Sequence, residues 1–171
     1  MKGKISIQRY QSPCGELLLG AFGNRLCLCN WTKELHPKRV ENRLQALLNA
    51  KFTEESAPVV QEAARQLDEY FKGERHIFDM PLLFVGTDFQ KNVWQELLKI
   101  PYGATITYAD LAARLGRPNA VRAVANANGA NAISIFAPCH RVVGSNGTLG
   151  GYGGGIEAKR FLLGLEGCNC L

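Results

Sequence analysis

Between Ile5 and Trp31 apolar and polar residues alternate, and the alternation breaks at Ser12-Pro13-Cys14-Gly15 and again at Gly23-Asn24. Period-two patterning bounded by turn-forming residues predicts a small antiparallel sheet. From Pro37 the spacing changes. Val40, Leu44, Leu47 and Leu48 recur at helical intervals, which predicts a helix over 37–48. A second helix follows over 57–71 and stops at Lys72-Gly73, and Ile77 to Phe84 reads as a further strand.

Beyond Gly86 the texture shifts to short helices and glycine-rich loops. Thr87-Asp88-Phe89-Gln90 is a capping signal, and Val93, Trp94, Leu97 and Leu98 form the apolar stripe of a helix stopped by Pro101. Thr107-Tyr108-Ala109-Asp110 resembles a second capping box, opening a helix that runs to Leu115 and ends at Gly116. Pro118 marks the start of the next helix, which Val121 and Val124 carry to Asn128-Gly129. Two short helices around a glycine-containing turn have the pattern of a helix-turn-helix, although any small helical hairpin shares it. The outer face of the second helix offers Arg117, Asn119, Arg122, Asn126 and Asn128, with small alanines between them. That face suits close approach to a phosphodiester backbone. The expected fold class is α+β, with an N-terminal α+β domain over 1–86 and a mostly helical domain over 87–171.

Composition bounds the function without selecting it. The 171 residues are 46% hydrophobic, enough for a real core, and 20 Lys+Arg against 15 Asp+Glu give a net charge of +5. That excess permits a polyanionic partner without arguing for one. Met1 to Ser12 hold no apolar signal core, and no stretch approaches the ~20 apolar residues that span a bilayer, so no membrane association and a cytoplasmic location are expected. Six cysteines (Cys14, Cys27, Cys29, Cys139, Cys168, Cys170) without a secretion signal are expected to be free thiols. Cys27 and Cys29 share one strand face, but no zinc-type spacing follows them and His36 and His76 are isolated, so no metal is expected. Cys14, Cys27 and Cys29 read as small hydrophobes in or near the core.

The chemistry is concentrated after an apolar, β-like run from Ile133 to Ala137, in Pro138-Cys139-His140-Arg141-Val142, followed by the glycine-rich stretch from Gly144 to Gly155. A thiolate is the nucleophilic form of cysteine, and a nearby imidazole or guanidinium favours it. Sequence neighbours point apart, so His140 reaches Cys139 only through a turn or a bridging water. A Cys-His pair alone equally suits a cysteine hydrolase. The helix pair alone suits a DNA-binding protein whose cysteine is structural.

Five ordered segments decide among these. Arg122-Ala123-Val124, Asn128-Gly129-Ala130-Asn131, the Pro138 to Val142 pentapeptide, Gly150-Gly151-Tyr152-Gly153-Gly154 and Leu162 to Gly167 together resemble the methylated-DNA-protein-cysteine methyltransferases, or O6-alkylguanine-DNA alkyltransferases. Ser12-Pro13-Cys14-Gly15 is more loosely similar to that family's ribonuclease-H-like N-terminal domain. The resemblance implies irreversible, single-turnover transfer of an alkyl group from O6-alkylguanine, and from O4-alkylthymine, to Cys139. Glu166 would orient His140, which takes the thiol proton through a water, and Asn131 would hold the turn. Tyr108 would donate to N3 of an extruded guanine, and Lys159 would support the region. The carbonyls of Cys139 and Val142 would accept from the base's exocyclic amine, the Gly153 amide would face O6, and Tyr152 would line the substrate site.

The same resemblance places DNA in contact with Arg122, which fills the gap left by the flipped base, and with Arg117, Asn119, Ala123, Ala127 and Asn128, through the minor groove of the duplex. It implies a monomer and no cofactor. Three positions depart from the family pattern: Ala125 stands where glycine is common, Ala132 where proline is usual, and Gly153 where some relatives carry serine. They bear on the rigidity of the turn and the size of adduct accepted. Nothing resembles the family's zinc-binding regulatory domain, so no transcription-activating role is expected.

Overall fold

The computed structural model describes residues 3–33 and 37–168. Strands β1 (Gly3–Ser12), β2 (Gly15–Phe22) and β3 (Arg25–Trp31) form the expected antiparallel meander, turning where the sequence places its turn residues. Helix α1 (Pro37–Leu48) then crosses over to a short fourth strand, β4 (Ala50–Glu54), which lies parallel to β1 and gives the sheet order β3-β2-β1-β4. Helix α2 (Pro58–Phe71) covers the sheet with Val60, Ala63, Leu67 and Tyr70. In α1 the buried face is Val40 and Leu44, whereas Leu47 is 61% exposed.

Two expectations for this half need correction. β4 lacks the alternating apolar signal, because a short edge strand needs little more than Ala50 buried and Phe52 half-buried to keep its register. The expected strand over 77–84 is absent. That segment touches β3 through a single bridge, with Leu26 N donating to Pro81 O at 2.8 Å and Leu83 N to Leu26 O at 2.8 Å. Pro81 has no N–H with which to extend the ladder.

The second half begins with α3 (Asp88–Leu97), whose Thr87–Gln90 capping box is fully formed. Leu98 caps its end and is 42% exposed, so it lies outside the buried stripe of Val93, Trp94 and Leu97. β5 (Ile106–Thr107) leads into α4 (Tyr108–Arg114), where Thr107 and Asp110 form the second capping box. Helix α5 (Val121–Gly129) starts three residues later than Pro118 suggests. Pro118 instead occupies the second position of a turn closed by Ala120 N to Arg117 O at 2.9 Å, a place its fixed φ also suits. β6 (Val142–Val143) pairs parallel to β5, and α6 (Ile156–Leu165) completes the fold.

The halves share their packing. One core joins the sheet and α2 to Ile133, Ile135, Phe136, Ala158 and Leu162 from the second half, and another gathers α3, α4 and α5 around Trp94. The run from Ile133 to Ala137 is not an independent strand. It abuts β3, with Cys29 N donating to Ala132 O and Ser134 N to Cys29 O, both at 2.8 Å.

Cys14, Cys27, Cys29 and Cys139 are free, and Cys27 and Cys29 are fully buried in the core as expected. Cys168, in contrast, is disulfide-bonded. His36 and Cys170 lie outside the described residues. No helix among the described residues is long and apolar enough to cross a membrane. Removing the α4 cap with Thr107→Ala should lower stability by about 1 kcal/mol, read in thermal unfolding as a fall of about 2–4 °C.

Candidate active site

Asn131 builds the ledge on which Cys139 sits. Its Oδ1 accepts from Ile133 N at 3.0 Å, and its Nδ2 donates to Ala137 O at 2.9 Å, closing the loop between them. Within that loop Phe136 N donates to Ser134 O at 2.9 Å across Ile135, whose φ is +74°. A γ-turn of this sign is rare and strained, and for a β-branched residue it costs about 1–3 kcal/mol. A second tight turn, at Pro138 (φ −80°, ψ 66°), is closed by Cys139 N to Ala137 O at 2.8 Å. Cys139 then opens a short 3-10 turn with His140 and Arg141.

The thiol is 5% exposed and borders a cavity of about 370 Å³. Asn131, Tyr108, Tyr152 and Gly153 line this cavity as expected, together with Asn30 and Ser134, which carried no signal in the sequence. Tyr108 is held against Gly150, where a Cβ would lie 2.8 Å from the phenol oxygen. Lys159 is fully buried and not a surface residue: Nζ donates to Val142 O at 2.7 Å and Gly151 O at 3.3 Å, and lies 5.8 Å from the Tyr108 ring centroid. Burial lowers its pKa to about 8.

Behind the thiol is a buried carboxylate network. Glu166 Oε2 accepts from His140 Nε2 at 2.8 Å, Tyr70 Oη at 2.7 Å and Arg141 Nη2 at 3.0 Å. Its Oε1 accepts from Arg141 Nε at 2.8 Å and from Gly103 N at 3.2 Å. Burial would raise the carboxyl's pKa, but the hydrogen bonds from His140 and Arg141 outweigh it and hold Glu166 ionised, well below the usual carboxylate range. The ionised oxygen obliges Nε2 to carry the ring proton. The lone pair is therefore on Nδ1, which is buried and has no protein partner among the described residues. Burial also lowers the His140 pKa, against the pull of Glu166, so the imidazole is neutral and basic at neutral pH.

Cys139 departs from expectation. Burial pushes its pKa up, although Asn131, the Lys159 charge and Ser134 all oppose this. The resting group is a thiol, and its proton must leave as the reaction proceeds.

Arg117, Asn119, Arg122 and Ala123 are exposed and available to a partner, with Arg117 resting 5.3 Å from the Phe89 ring centroid. Asn128 and Ala127 are each only 4% exposed and face inward, which removes them from the expected DNA-contacting face. Asn128 Nδ2 lies 3.5 Å from Cys139 O, and Ala127 O accepts from Trp94 Nε1 at 2.8 Å. Both lie one turn beyond the buried Val124, at i+3 and i+4, and so share its inward face. Cys139 O accepts from Val142 N, with Asn128 Nδ2 3.5 Å away. Arg141, Tyr70 and Gly103 were given no place in the network by the sequence. Arg141 stands inside the motif, but nothing along the chain links Tyr70 to Glu166.

These features define a single cysteine nucleophile, backed by a His–Glu pair, beside a helix-turn-helix. Residues 6–84 match the family described as 6-O-methylguanine DNA methyltransferase, ribonuclease-like domain, and residues 88–168 its DNA binding domain. The methylated-DNA–protein-cysteine methyltransferase of Methanosarcina barkeri is 46% identical over 91% of this chain and 93% of its own. The constitutive enzyme of Bacillus subtilis is 53% identical over 91% and 92%. The crystal structure of Mycobacterium tuberculosis OGT in complex with DNA superposes with a TM-score of 0.80 at 40% identity, covering 94% of this chain and 92% of that one. The chain belongs to the methylated-DNA–protein-cysteine methyltransferase family.

Tyr70→Phe keeps the ring and removes one hydrogen bond to an ionised carboxylate, so stability at pH 7 should fall by about 2 kcal/mol. Because Glu166 titrates lower in the folded chain, its contribution is complete above the unfolded value of ~4.3 and is lost as pH falls through the folded one. The difference between Tyr70→Phe and wild type should therefore shrink in acid. Urea unfolding at neutral and strongly acidic pH checks both statements.

Proposed function

We propose that this protein repairs DNA directly, moving an alkyl group from O6 of guanine to Sγ of Cys139, once per molecule. The observation that carries the reading is the buried thiol facing a base-sized cavity, with a neutral imidazole oriented by an ionised glutamate behind it.

His140 Nδ1 takes the thiol proton, through a water if the two do not touch, and Sγ attacks the alkyl carbon in line with O6. The C–S bond forms as the C–O bond breaks, and the electron pair leaves with the guanine. Tyr108 donates to N3 as negative charge grows on the base, while Glu166 stabilises the imidazolium that forms. A thioether offers water no good leaving group, so Cys139 is not regenerated. No metal or diffusible cofactor enters.

O6 lies within the base stack, so the nucleotide must be extruded before Sγ can reach its alkyl carbon. Arg122, exposed on the first turn of α5, is suited to fill the vacated place from the minor groove, with Arg117 and Asn119 at the backbone and Ala123 permitting close approach. O4-alkylthymine places its alkyl carbon comparably and is a second substrate. In this reading the protein works as a cytoplasmic monomer, with residues 1–86 supporting an acceptor domain over 87–171.

Intact-protein mass after incubation with an O6-methylguanine duplex tests the proposal: wild type gains one methyl and Cys139→Ala gains none. Multiple turnover would indicate a hydrolase, and methylation of Cys139→Ala would place the acceptor elsewhere.

The pH profile follows from His140. Its folded pKa lies below the ordinary ~6.5, so the base stays neutral through neutral pH. Transfer from the free base O6-benzylguanine should hold steady from about pH 8 down to ~6.5 and decline only in more acid solution. A decline centred above that value would remove His140 as the base.

A further inference from the structure

The lesion cavity does not end at Gly153. Ala125, Asn126, Gly129, Tyr152 and Gly153 also line a wider, open groove of about 1000 Å³ that runs from the cavity toward the N-terminal half. Its far wall carries Lys33, Arg39 and Arg43, and none of its lining residues is acidic. We propose that this groove holds the phosphodiester backbone of the lesion-bearing strand next to the extruded nucleotide, with Lys33 and Arg39 pairing with its phosphates. The proposal rests on the repair reading above and adds a DNA contact from the N-terminal half.

Two contacts between the halves hold these cations over the groove. The Trp31 ring lies flat against Gly154, where a Cβ would come within 2.6 Å of the ring, and this sets the end of β3, and Lys33 just beyond it, beside the glycine-rich loop. Arg43 Nη2 donates to Ala130 O at 2.8 Å and its guanidinium lies 5.4 Å from the Trp94 ring centroid, pinning α1 to the end of α5. Arg43 is thus engaged in structure. Arg39 lies one turn earlier on the same face of α1. Lys33 and Arg39 are both exposed, and neither forms an ion pair with a described residue.

An extruded nucleotide stays covalently joined to its neighbours, so its flanking phosphates must leave the cavity mouth along some surface. This groove is continuous with the mouth and combines two exposed cations with a floor of glycine and alanine.

The test compares Lys33→Ala/Arg39→Ala with wild type and with Lys51→Ala/Lys72→Ala, which removes the same charge from exposed positions outside the groove. The probe is an O6-methylguanine duplex titrated across a range of salt. Each phosphate contact contributes about 0.9 to the slope of log K against log salt, so losing two reduces it by about 1.8. The affinity lost between about 50 and 200 mM salt then shrinks by about tenfold. The Lys51/Lys72 variant should keep the wild-type slope, and all three proteins should react equally with O6-benzylguanine. An unchanged slope in the Lys33/Arg39 variant overturns the proposal and leaves the groove to an acidic protein partner or a second copy. An equal fall in both variants also overturns it, since net charge alone would explain the loss. Wild type that gains no methyl from the duplex overturns the repair reading itself, an outcome distinct from either slope result.

Discussion

Everything chemical in this fold turns on keeping one carboxylate, Glu166, ionised in the protein interior. An unpaired carboxylate there would take up a proton instead. Glu166 stays charged because five donors from three separate segments converge on its two oxygens: Tyr70, Gly103, His140 and both Nε and Nη2 of Arg141. The charge fixes the imidazole tautomer, offsets the buried guanidinium and ties α2 to the end of α6. Arg141 is held at its far side by Ile100 O at 2.7 Å, so neither ion of the pair lacks partners.

The nucleophile is restrained by different means. Asn131 and two tight turns hold Cys139, with Ile135 in a conformation that β-branched residues avoid. Such strain persists only where the surroundings impose it, and here Ile135 and Phe136 are locked into the core of the first half. The apolar packing of the sheet and α2 therefore sets the ledge on which the thiol sits. A division of labour between a passive first half and an active second half does not describe this molecule well.

The sequence made local features legible and left distant ones hidden. Both capping boxes, the β1–β3 meander and the acceptor motif follow from residues close together in the chain, and the structure contains all of them. Pattern reading misled in three places: Pro118 entered a turn and not a helix, Asn128 and Ala127 fall one turn beyond the buried Val124 and so face inward, and Pro81 kept residues 77–84 from pairing as a strand. The position of His140 against Glu166 was open to reading because the family resemblance supplied it. Tyr70 was not, since its period on α2 marks it only as a core aromatic, and its hydroxyl acquires a role when α6 packs against it. The raised pKa of Cys139 was hidden for the same reason, because burial belongs to the folded chain and not to the neighbours of a residue in sequence.

The scattering of that network along the chain bears on timing. Tyr70, Gly103, His140 with Arg141, and Glu166 come together only when α2, the loop before β5, the acceptor turn and α6 have all docked. Before then the cysteine has no oriented base and no walled cavity in which to meet a nucleobase. A reagent that can be used only once is thereby kept from its reaction until assembly is finished, and the docking of α6, which brings Glu166 to His140, acts as a safety catch.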